Sequence, residues 1–133
     1  MSNFSKSQIA EHNDRLSAYY EEKAAYLRSH PTETELQMKE FLKEHHIPYR
    51  FKGLMSVKDK DGFIDQCHIV DFLLKDKKIV ITISFKSFSW EDSYNDRRFA
   101  LLKKRCPKFT FIHWSSRDFN SYANMKALLA LLN

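Results

Sequence analysis

The stretch "HIVDFLLKDKKIVITISFKS", His68 to Ser87, sets two apolar runs on either side of a short charged turn. The second run is rich in β-branched residues, which favour the pleated, half-buried surface of a strand. Four turn residues, Lys75 to Lys78, separate it from the first run, so the pair predicts an antiparallel hairpin. One acid, Asp71, interrupts the first run. A carboxylate on a largely buried strand is costly unless it is paired. Asp71 is therefore either a site residue, an edge-facing acid or the partner of an arginine.

The hydrophobic period is helical on the N-terminal side. Ile9, Leu16, Tyr19, Tyr20 and Leu27 predict a helix over 7–28, broken by Ser29-His30-Pro31 because proline disfavours helix in the residue before it. Thr32 with Glu35 three residues on is a capping-box pattern, opening a second helix with Leu36, Phe41 and Leu42 on its apolar face. Pro48 closes it. "YRFKGLMSV" and "FIDQCHIVDFLL" then read as strands joined by the turn "KDKDG". Beyond the hairpin, a loop leads to a helix from about Asn95, then the strand "KFTFIHW" and a last amphipathic helix. The predicted order is α-α-β-β-β-α-β-α, an α/β fold with a mixed sheet of about four strands flanked by helices. With no repeat, linker or composition shift, 1–133 reads as a single domain, in which 1–30 is an extra N-terminal helix and 31–133 the core.

At 133 residues, 43% hydrophobic and with eleven Phe, the chain can bury a real core and does not have the composition of a disordered one. Its longest apolar run falls short of the roughly 18 residues of a membrane-spanning helix, and no signal-peptide pattern opens it. Cys67 and Cys106 are too few for a disulfide framework or a zinc site, and read as packed thiols. These features predict a cytoplasmic protein with no membrane partner. A net charge of +5 permits a polyanionic partner without requiring one.

Four local sequences, taken in order, resemble the restriction-endonuclease-like PD-(D/E)XK superfamily, in particular its small Vsr-like branch of domains similar to very-short-patch-repair endonucleases. "TETELQMKEFL" is similar to the opening helix of that branch, and "HIVDF" to its signature second strand. "SYNDRRFALLKKRCPKFTFIHW" resembles its Tyr-Asp/Asn-x-x-Arg helix followed by a strand ending in an aromatic residue, and "SSRDF" the turn after that strand. The likeness runs from Pro31 to the C-terminus. It implies a restriction-endonuclease-like core and a nucleic-acid partner, DNA ahead of RNA.

Phosphodiester hydrolysis in such a site uses Mg²⁺ (or Mn²⁺) held by carboxylates, which polarises the phosphate and lowers the pKa of the attacking water. The resemblance makes Asp71 the first metal ligand. A second carboxylate belongs on the next strand, where Thr82 and Ser84 stand instead. The Vsr-like branch itself implies another set: Asp71, the backbone carbonyl of Ile83, and Glu35 from the opening helix. Histidines expected after the strand are missing, which leaves Lys86 as the nearby catalytic candidate, with His68 and His113. Glu35 is equally explained as the capping partner of Thr32. His68, three residues from Asp71, faces the other way on a regular strand, and His45-His46 suit a helix C-terminus.

Candidate nucleic-acid contacts are Lys86, Trp90, Arg97, Arg98, Lys104 and Arg105. At 3.6 residues per turn Arg97 shares a helix face with Lys104, and Arg98 with Arg105, a basic wall that could hold phosphates or merely face solvent. Phe88 and Trp90 could stack on bases or close the core. Two function classes stay open. One is a nucleic-acid-binding, endonuclease-like domain, either cleaving through an atypical Asp71 centre or catalytically degenerate. The other is a protein-interaction module, an inhibitor or accessory subunit reusing the scaffold, that docks a protein partner through the N-terminal helix.

Overall fold

A computed structural model describes residues 4–84 and 100–133, apart from the side chain of Ser84. Helix α1, Lys6–Arg28, starts at a capping box in which Ser5 and Gln8 exchange side-chain and backbone bonds. Along this helix only Ala24 is fully buried, so α1 lies flat on the fold with most of its surface exposed. It packs against β1 and β2. The amide of Asn13 pins it there, donating to the Gly62 carbonyl at 2.9 Å and accepting from the Ile64 N–H at 2.8 Å.

Helix α2, Glu33–Glu44, opens on the Thr32–Glu35 capping box and buries Met38, Phe41 and Leu42. His45 is its C-cap, and His46 turns the chain at a φ of 55°. The strands are β1 (Arg50–Lys58), β2 (Ile64–Leu74), β3 (Ile79–Ser84) and β4 (Thr110–Ser115). Residues 100–105 are helical and are called α3; the expected start of this helix near Asn95 lies outside the described residues. A 3₁₀ turn, Ser116–Asn120, follows β4, and α4 spans Tyr122–Leu132.

The four strands lie in the order β1-β2-β3-β4. The first two pairings are antiparallel and β3–β4 is parallel, which makes the sheet mixed. A parallel pair cannot be joined by a tight turn, and α3 lies in that connection. Two apolar clusters form the core. One joins Phe51, Phe72, Ile81 and Trp114 of the sheet to Met38 and Leu42 of α2 and Leu128 and Leu132 of α4. The other joins Met55, Val70, Leu73 and Val80 to Leu102 of α3. Fully burying side chains of this size contributes about 1.5–3 kcal/mol each. Among the described residues no helix is long and apolar enough to cross a membrane.

Candidate functional site

Asp71 sits where two strands part. The β2–β3 ladder runs over Leu74↔Ile79, Leu73↔Val80 and Phe72↔Ile81. At the next position the Asp71 carboxylate enters the gap and accepts the Ile83 N–H through Oδ2 at 2.7 Å. A side-chain oxygen thus takes over from the ladder for a backbone donor that burial would otherwise leave costly.

Lys52 of β1 faces Asp71, between the pairs Phe51↔Phe72 and Gly53↔Val70. Strand alternation breaks at this rung. Phe51 and Phe72 pack with α2 and α4, whereas Met55 and Val70 pack with α3. A φ of 51° at Lys52 accompanies the change. Such a conformation is uncommon for a residue with a side chain and costs about 1–3 kcal/mol. Arg28, at the end of α1, braces it by donating to the carbonyls of Phe51 and Lys52, each at 3.0 Å. Glu21 holds the same guanidinium at 2.6 Å; this bond outweighs the partial burial of the Glu21 carboxyl and keeps its pKa low.

The turned backbone carries the Lys52 ammonium between two acids from different elements. Nζ lies 2.5 Å from Asp71 Oδ1 and 2.5 Å from Glu35 Oε2. The side chains of Glu35, Lys52 and Asp71 are only 6%, 12% and 20% exposed. Glu35 uses its other oxygen to accept the Thr32 N–H at 2.8 Å. It is therefore the capping partner and a member of the ion cluster at once. Burial opposes a charge on Lys52, but the carboxylates of Asp71 and Glu35 together outweigh it and raise its pKa. Burial raises the pKa of Asp71, against the opposing pull of Lys52 and the Ile83 N–H and with the help of repulsion from Glu35.

The other candidates lie elsewhere or outside the described residues. Thr82 is buried and turns its hydroxyl to β4, 3.3 Å from the Ile112 carbonyl and 3.1 Å from His113 Nδ1. His68 lies 3.4 Å from the Gln66 side chain. Arg105 is tied down, bonding Asp65 at 3.0 Å and the Lys58 carbonyl at 3.1 Å, while Lys104 is exposed. Asp118 of the "SSRDF" turn accepts from the Ser115 N–H and hydroxyl and from Asn124, which makes it a local cap. Lys86, Trp90, Arg97 and Arg98 fall among residues 85–99, outside the described set.

Mg²⁺ demands near-octahedral oxygen ligands at about 2.0–2.1 Å. Between Glu35 and Asp71 the ammonium of Lys52 already touches an oxygen of each. The Ile83 group that meets Asp71 is its N–H, a donor that no cation can use. Among the described residues, no group of three or more His, Cys, Asp or Glu side chains is arranged to hold a metal ion. This set fits an ammonium as it stands, and a Mg²⁺ could enter only if Lys52 left. No family model, curated protein or solved structure matches this chain.

Lys52 is the residue that the sequence reading missed. Its signal was present but indirect, because only the β1–β2 register sets it opposite Asp71. The ladder shifts by one residue between Val57 and Lys58. Extending the Lys58↔Ile64 pair without that shift would set Lys52 against Val70 instead of Asp71.

Proposed function

We propose that the chain is a restriction-endonuclease-like domain that binds the phosphate backbone of nucleic acid, and whose cleavage centre has become a lysine-neutralised ion cluster. One observation carries this reading: an acid from the opening helix, Glu35, and an acid from the second strand, Asp71, meet at the parting of two strands with a lysine between them. Those are the chemical components of a phosphodiester site, but the cation is a side chain. The mixed four-strand sheet flanked by helices supports the reading. The excess of basic residues, with Lys104 exposed on α3, suits a polyanion.

Fluorescence anisotropy with labelled duplex DNA and RNA, across a salt series, tests the reading directly. Binding should weaken steeply as salt rises, because neutralising phosphates releases counterions. Incubation of the same substrates with Mg²⁺ or Mn²⁺ should leave them intact. Absence of binding to either polymer at low salt would sink the nucleic-acid reading. Metal-dependent cutting that disappears in Asp71→Ala would instead establish a working enzyme and overturn the degenerate one.

A specific surface favours the second reading, a protein-interaction module. Tyr19, Tyr26 and Leu27 are exposed along α1. With Glu22, Lys23 and Ile69 of β2 they line an apolar cavity of about 480 Å³. A protein complex that survives high salt and is lost in the Tyr19→Ala/Tyr26→Ala double variant would select this reading.

A further inference from the structure

We infer that Lys52 has taken the place of a divalent cation, so that Glu35 and Asp71 of the wild-type chain are the ligands of an ammonium and not of a metal. The inference rests on the restriction-endonuclease-like reading only for the expectation that a cation belongs there. Its support is local.

Two carboxylates this deeply buried need a counter-charge, and one cation serves both, with Lys52 Nζ 2.5 Å from each. The remaining acceptor capacity is directed at backbone donors. Ile83 N–H takes the second oxygen of Asp71, and Thr32 N–H the second oxygen of Glu35. Each acid thus presents one oxygen to the shared position and one to its own scaffold, and with Lys52 on both of the inward oxygens a divalent ion finds no free carboxylate oxygen there.

The backbone argues the same way. Position 52 adopts a φ of 51°, where glycine would be at ease, yet it carries a long charged side chain. Arg28 bonds the carbonyls on both sides of the Lys52 N–Cα unit and fixes that conformation. A braced, unfavourable backbone under a lysine points to the side chain as the feature being placed. Arg28 is a positioning residue in this scheme, since it reaches the acids only through the Lys52 backbone.

Mn²⁺ is the probe. It should be titrated into the wild-type chain, Lys52→Gly and Lys52→Asn, and into each with Asp71→Asn added, while electron paramagnetic resonance reads the free ion. Both single variants suit a positive φ, and circular dichroism reports whether they fold. At least one folded Lys52 variant should bind a Mn²⁺ at least tenfold more tightly than the wild type, and Asp71→Asn should abolish that gain. In the wild-type chain, Mn²⁺ should leave the Ile83 amide resonance unbroadened. Broadening of that resonance, or Asp71-dependent wild-type binding within tenfold of the variants, overturns the inference. So does the failure of every folded Lys52 variant to gain a site. The wild-type resonance decides the matter if neither variant folds. No nucleic acid enters the experiment, so its failure is distinct from failure of the binding reading.

Discussion

Among the described residues, Lys52 carries the only positive charge that the ion cluster places between Glu35 and Asp71, and the energetics of the site follow from that imbalance. Breaking a buried ion pair by removing one partner costs about 3–5 kcal/mol, because the other charge is left uncompensated. Lys52→Met is expected to lose stability in that range by urea unfolding. Asp71→Asn should cost less, since Lys52 keeps Glu35. The double variant should fall short of the sum of the two by about 0.5–3 kcal/mol, as contacting residues do. Titration provides an independent check. The folded pKa of Lys52 lies above its ordinary 10.5, so its stabilising contribution is complete below 10.5 and is lost as pH rises through the folded value. The pKa of Asp71 is raised from 3.8, so just above that pH the folded chain holds a proton that the unfolded chain has released. Its contribution therefore declines as pH climbs from 3.8 through the folded value. Subtracting the stability profile of Asp71→Asn from that of the wild type should isolate this acid-side decline. A flat difference over that window would refute the assignment.

Helix α1 reaches the cluster through one side chain. Arg28 donates to two β1 carbonyls and to Glu21, so it couples the end of the helix to the strained residue. Hydrogen bonds to charged groups contribute about 1.5–3 kcal/mol. We expect Arg28→Ala to destabilise the fold by about 2 kcal/mol and to speed hydrogen exchange at Gly53 and its neighbours in β1. An unchanged exchange profile would show that the backbone at position 52 holds itself. In α2, Thr32→Ala removes the N-cap hydroxyl and should cost about 1 kcal/mol. The cap was readable from sequence because its two residues are three apart and need only a helix to meet. Arg28 was not, since its partners lie 23 and 24 residues away and are backbone atoms without a sequence signature.

For the molecule as a whole, the expectation that 1–30 is an added arm makes a test of its removal informative. The segment covers β1 and β2, buries Ala24, and contributes the Asn13 bonds to the hairpin turn as well as Arg28. Deleting 1–30 is therefore expected to abolish a sharp cooperative unfolding transition. A truncated chain that unfolds at the same urea concentration as the intact one would show that residues 31–133 stand alone. What the sequence determined by itself was local. Capping pairs, β-branched runs and turn residues act over a few positions, so the helices α1 and α2, the hairpin of β2 and β3, and the presence of an acid within an apolar strand at position 71 could all be read in advance. Tertiary structure alone decided what that acid meets. A one-residue register shift near Val57, a left-handed backbone at Lys52 and a helix-borne glutamate had to come together in space, and no periodicity records their meeting. The physical reason is that a buried charge selects its partner by distance in the folded state, where residues 35, 52 and 71 are neighbours, and not by separation along the chain.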